Sequence, residues 1–216
     1  CHNPTGADLQ PEHWDQIADI ALERGFIPFI DIAYQGLGQG LDADAYGLRM
    51  MADRLPELLV ASSCSKNFGL YRERTGSITL VAESAEQAKI VSAQSMSIAR
   101  QIYSMPPAHG ALLVSLILGD DQLRANWQAE LEEVRLRIKA MRTLLTDGIN
   151  DNAAGMDFSH IKQQQGMFSF LGITSDQLNR LRDEFAIYIV GSTRVNLAGI
   201  NSTNIDYLTQ SIRTVL

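Results

Sequence analysis

What most constrains this chain is the way short apolar runs alternate with amphipathic segments of helix length in its first part. Phe26-Ile27-Pro28-Phe29-Ile30 and Leu58-Leu59-Val60-Ala61 are continuous apolar runs of strand length, and residues 75–81 read as a third strand. A strand expected over 26–32 follows a helix expected over 8–24, where Trp14, Ile17, Ala18, Ala21 and Leu22 recur at helical spacing. Pro11 fits that helix's first turn and Gly25 stops it. A second helix is expected over 42–54, with Asp42 as its N-cap. Apolar strands separated by helices pair in parallel through crossovers, so the expected fold is α/β with a mostly parallel sheet.

The later pattern is different. Helices are expected over 84–103, ended by Pro106-Pro107, and over the apolar stretch 108–118. A long helix over 121–146 carries glutamates early and Arg135, Arg137, Lys139 and Arg142 late, an order that suits the helix dipole. Its charges read as a solvated face. Shorter pieces follow: strands over 167–171, 187–190 and 194–197, and helices over 175–185 and 204–216. The break at Gly119 divides the chain into residues 1–118, part of a larger α/β domain, and residues 119–216, a smaller α+β domain.

Bulk properties exclude several classes. The 216 residues are 45% hydrophobic and 20% charged, with net charge −7, and contain no lysine- or arginine-rich run. That argues against nucleic acid and anionic membrane as partners. No apolar run approaches membrane-spanning length. Two cysteines, Cys1 and Cys64, make no disulfide framework and fit a cytoplasmic protein. His2, His13, His109 and His160 lack ligand spacing, so no metal site is expected. Gly36-Leu37-Gly38-Gln39-Gly40 has the wrong spacing for a dinucleotide loop. The chain opens inside a motif without an initiating methionine, and reads as the C-terminal part of a longer protein.

The unusual residue is Lys66, set in Ser62-Ser63-Cys64-Ser65-Lys66-Asn67-Phe68-Gly69 between two expected strands. An unpaired ammonium is costly to bury, so alone it reads as a loop lysine on the surface. Asp31 stands at the carboxyl end of an apolar strand, where open α/β sheets bind ligands; a turn cap explains it equally well. Tyr34 reads equally as a half-buried aromatic, and Asn3 as part of an Asn-Pro turn.

In order, HNPTG (2–6), DIAYQG (31–36), SCSKNFGLYRERTG (63–76), YSMPPAHG (103–110), QGMFSF (165–170) and STRVNLAG (192–199) resemble the aspartate and aromatic amino acid aminotransferases. These are class I aminotransferases of the fold-type I pyridoxal-phosphate enzymes, and the resemblance covers essentially the whole chain. It implies pyridoxal 5'-phosphate as cofactor, held as a Schiff base by Lys66, with Asp31 beside the ring nitrogen. It implies Tyr34 and Asn3 at the phenolic oxygen, and Ser63, Ser65 and Arg74 at the phosphate. For the substrate it implies Arg194 at the α-carboxylate, and Arg100 reaching across a homodimer to a side-chain carboxylate. Cys64, where the family often has an aromatic residue, and Met105, where it often has a polar one, are departures. The implied reaction moves an amino group between aspartate or aromatic amino acids and 2-oxoglutarate. The alternative is an inactive fragment that needs the missing N-terminal half.

Overall fold

The computed structural model of the chain describes residues 1–150 and 156–216. By internal contacts the chain forms two compact units. One comprises Leu9–Gly36 with Leu41–Leu131; the other comprises Cys1–Asp8, Leu37–Gly40 and Glu132–Leu216. In the latter half of the chain one unit gives way to the other between Leu131 and Glu132.

The first of these units holds a three-stranded sheet in the order β1 (Phe29–Ile32), β2 (Leu58–Ser63), β3 (Gly76–Val81). Pairing of β1 with β2 is parallel, with Asp31 opposite Ala61. Pairing of β2 with β3 is antiparallel, with Ser63 opposite Gly76. The three strands described therefore form a mixed sheet, with one parallel and one antiparallel pair. No helix intervenes between β2 and β3, and without a crossover the chain must return antiparallel.

Helix α1 (Pro11–Arg24) begins at Pro11 rather than at residue 8, because the Gln10 amide donates to His13 Nδ1 at 3.1 Å and the His13 amide to Gln10 O at 3.0 Å there. Helix α2 (Tyr46–Arg54) is preceded by a 3₁₀ turn, Ala43–Ala45. Asp42 is not the expected side-chain cap: its backbone is helical and its carboxylate accepts from Arg49 at 3.0 Å. The core of this unit is Ala18 and Ala21 of α1, Met51 and Leu55 at the end of α2, and Leu58 and Val60 of β2. Ile30 and Ile32 pack against it, so strand alternation turns Asp31 to the opposite face.

Helix α3 (Ala85–Tyr103) starts at Ser84, whose hydroxyl accepts from the Gln87 amide, and packs on β3. None of its residues is buried. Met96 is 71% exposed and Ile102 72% exposed, with Ile90, Ile98 and Tyr103 also open. Helix α4 (His109–Gly119) follows, and α5 runs from Asp121 to Asn150, past the expected end at 146.

The other unit contains the second half of α5, α6 (His160–Gln163), β4 (Phe168–Phe170), α7 (Ser175–Phe185), β5 (Arg194–Asn196) and α8 (Ile205–Val215). β4 and β5 pair antiparallel, with Phe170 opposite Arg194. Ile138, Leu145, Ile149, Phe158, Leu181 and Ile212 are buried in it. The strand expected over 187–190 is not formed. Ile187 continues the end of α7 by donating to Leu181 O, Val190 O closes a turn by accepting from Thr193, and Tyr188 is 80% exposed. Of the α5 charges expected on a solvated face, Glu132, Glu133, Arg137 and Lys139 are exposed and Arg135 is half-buried, but Arg142 departs from that reading and is 2% exposed.

Candidate active site

Sheet topology decides which predicted residues meet. Parallel β1 and β2 end at the same edge, and antiparallel β3 begins there. The segments leaving β1 and β2 and the segment entering β3 therefore converge. They carry Asp31 and Tyr34, then Ser63, Ser65 and Lys66, then Arg74.

Lys66 is half-buried, its Nζ 4.9 Å from the centroid of the Tyr34 ring and 5.9 Å from that of Tyr71. Ring faces attract an ammonium without neutralising it. The loop is built by short-range bonds. Ser63 Oγ accepts from the Ser65 amide at 3.1 Å and donates to Ser65 Oγ at 3.0 Å. Cys64 N donates to Thr75 O at 3.0 Å, which ties the loop to the start of β3. Asn67 Nδ2 donates to Gln35 O at 3.2 Å, which ties it to the turn after Tyr34. The first half of α5 holds it from another side. Trp127 Nε1 donates to Asn67 O at 2.7 Å, and the Trp127 ring stacks on Phe68 with centroids 4.4 Å apart. Burial pushes the Cys64 thiol above its ordinary pKa.

Arg74 is exposed, in a left-handed backbone conformation at φ 53°, with Nη1 donating to Tyr71 O at 2.9 Å. Behind it α4 presses on residues 73–75. His109 Nδ1 lies 2.9 Å from Glu73 Oε2, and a Cβ on Gly110 would lie 2.0 Å from Thr75 Oγ1. Arg100 lies exposed near the end of α3.

Asn3 and Arg194 form a separate pair in the other unit. Arg194 Nη1 donates to Asn3 Oδ1 at 2.8 Å although the two are 191 positions apart. The guanidinium also lies 4.5 Å from the centroid of the Phe168 ring. Phe68, Trp127, Phe168 and Arg142 were absent from the sequence-based candidates. For Arg142 a signal existed: it interrupts the buried stripe Ile138, Leu145, Ile149 at helical spacing. No group of metal-binding side chains occurs among the described residues.

The donor set suits pyridoxal phosphate. An amine, a carboxylate, a phenol, paired hydroxyls and a guanidinium lie along one sheet edge, a different group for the aldehyde, ring nitrogen, phenolic oxygen and phosphate.

The model of the family aminotransferase class I and II matches residues 1–212. The aspartate aminotransferase of Haemophilus influenzae is 54% identical over 216 residues, covering 100% of this chain and 54% of that protein. The aromatic-amino-acid aminotransferase of Pseudomonas aeruginosa is 46% identical over 215 residues, with coverage of 100% and 54%. A crystal structure of the aromatic-amino-acid aminotransferase from Burkholderia pseudomallei, covalently bound to pyridoxal phosphate, superposes with a TM-score of 0.97 at 42% identity, covering 100% of this chain and 54% of that one. The chain thus spans about half the length of these relatives. It belongs to the class I and II aminotransferases.

Proposed function

We propose that the full-length protein carrying this chain is an aminotransferase that uses pyridoxal 5'-phosphate and moves an amino group between aspartate or an aromatic amino acid and 2-oxoglutarate. The observation that carries the reading is the half-buried Lys66 amine over the Tyr34 ring, at the sheet edge that also bears Asp31. When bound, the cofactor supplies an electron sink that makes the substrate Cα–H acidic. Lys66 would hold it through Nζ and, once displaced, take the Cα proton and return it. The Asp31 carboxylate would keep the ring nitrogen protonated by favouring its charged form. Tyr34 and Asn3 would donate to the phenolic oxygen. Ser63, Ser65 and the Arg74 guanidinium would hold the phosphate. Arg194 would take the substrate α-carboxylate through its planar fork. Arg100 would reach a side-chain carboxylate bound by a second copy.

The unit bearing Lys66 serves here as the cofactor-binding part, and the unit bearing Arg194 as the substrate-reading part. The open apolar side chains of α3 support two partners: a second copy of the protein, and a further segment of the same protein. Two free cysteines support a cytoplasmic location. No described helix is long and apolar enough to cross a membrane. The same open side chains favour a second reading, that the 216-residue chain alone is an inactive fragment.

The test is a spectral titration of the full-length protein with aspartate, then tyrosine. Each productive donor should discharge the visible cofactor band, and 2-oxoglutarate should restore it. Purified protein with no such band, before or after cofactor is added, would refute the proposal. Turnover by the 216-residue chain alone would refute the fragment reading.

A further inference from the structure

Arg142 is a charged side chain in the interior of α5, and its guanidinium has no carboxylate partner in direct contact among the described residues. Burial draws its pKa down to about 10, opposed by the charge of Asp8, so it remains protonated at neutral pH. Its charge is spent on oxygens of one short segment. Nη2 donates to Phe168 O at 2.6 Å, Gly166 O at 2.7 Å and Gln165 O at 2.9 Å. Nη1 donates to Ile161 O at 3.1 Å and to Ser169 Oγ, and Ser169 is fully buried. This is a large commitment of buried charge to fix the entry and course of one three-residue strand, β4.

That strand leads to Arg194 by two routes. Ser169 and Phe168 are neighbours on β4, so pinning Ser169 on the Arg142 side turns the Phe168 ring the other way. There it lies 4.5 Å from the Arg194 guanidinium. The second route runs through the chain start. Gln165, whose carbonyl Arg142 holds, donates its amide to Gly6 O at 2.8 Å, and Gly6 N closes the turn onto His2 O at 2.8 Å. Asn3 rides on that turn and accepts from Arg194 Nη1. Gly6 sits at φ 75°, and a Cβ there would lie 2.3 Å from Phe168 O and 3.1 Å from Arg142 Nη2. The two routes are therefore packed against each other, with Arg142 beneath both.

We infer that Arg142 is a positioning residue for carboxylate recognition: it fixes the face of Arg194 through Phe168 and its edge through Asn3. The inference rests on the reading of Arg194 as the α-carboxylate site. A lysine at 142 keeps the charge but radiates donors from one point, and cannot span Ile161 on one side and Phe168 on the other.

The experiment is a double-mutant cycle on the full-length holoenzyme, with succinate as the probe and its Kd read by calorimetry. Arg142→Lys should raise the Kd by about tenfold, within the range of coupling for residues in one network. In an Arg194→Lys background the same substitution should change the Kd by less than about twofold, because there is no longer a fork to aim. A Kd left unchanged by Arg142→Lys in otherwise native protein, or an equal rise with and without Arg194→Lys, overturns the inference. If Arg194→Lys alone leaves the Kd unaltered, it is the reading of Arg194 that fails. Should Arg142→Lys fail to load cofactor, Phe168→Leu in the same cycle decides: coupling to Arg194 supports the route and independence overturns it.

Discussion

Trp127→Phe is the sharpest probe of how the Lys66 loop is held. The substitution keeps an aromatic ring beside Phe68, 4.4 Å away, and removes the indole N–H that donates to Asn67 O at 2.7 Å together with the small volume of the five-membered ring. The backbone ties that close residues 64–70 are long: Gly69 N to Lys66 O at 3.3 Å and Leu70 N to Cys64 O at 3.4 Å. Leaving a partly buried carbonyl unpartnered costs about 1–2 kcal/mol, the lower part of the range because Asn67 is only half-buried. That cost falls on local opening of residues 66–70, so amide exchange at Gly69 and Leu70 should quicken by about 5–30-fold. Exchange in the core strand β2 should change less. Hydrogen exchange with mass spectrometry on the full-length protein reads both. Rates at Gly69 and Leu70 within about twofold of the parent would refute the claim that α5 clamps the loop.

Two further outcomes are expected. Gly110→Ala sets helix propensity against packing: alanine gains at most about 1 kcal/mol, the helix-interior figure, and less at this second residue of α4, whereas a Cβ 2.0 Å from Thr75 Oγ1 and 2.8 Å from Glu73 Cβ must displace the turn bearing Arg74. Overpacking at about 1–3 kcal/mol outweighs the gain, so urea denaturation should show lower stability, and added stability would contradict the contact. For Cys64, burial raises the thiol pKa, so less thiolate is present at pH 8.5 in the folded than in the unfolded chain. The folded state then holds the proton longer, so the stability contributed by the neutral thiol is fully present below the unfolded pKa and is lost as pH rises through the higher folded pKa. Iodoacetamide should label Cys64 more slowly in native protein than in urea, and equal rates would contradict the burial.

Local features were legible and long-range ones were not. The strands at 58–61 and 75–81, the helix start at residue 84 and the stop at Gly25 are written within a few residues, because propensity and capping are local. The sense of β3 depended on what joins it to β2, which apolar periodicity does not record. Ile187–Val190 carries a strand-like composition, yet pairs with no strand among the described residues. Tertiary context overrides β propensity in that way. The bond between Asn3 and Arg194 and the clamp of Trp127 on Asn67 join residues 191 and 60 positions apart, beyond any local pattern. Arg142 was readable in principle as an arginine within a buried stripe, but the nearby charges of α5 drew it into the solvated face.

Everything proposed about function depends on which amine carries the cofactor. Borohydride reduction of the full-length holoenzyme, followed by peptide mapping, reads it directly. The account predicts a pyridoxyl adduct on Lys66, absent together with the visible band in Lys66→Ala. An adduct on Lys89, Lys139 or Lys162 instead, or a band that survives Lys66→Ala, would contradict it.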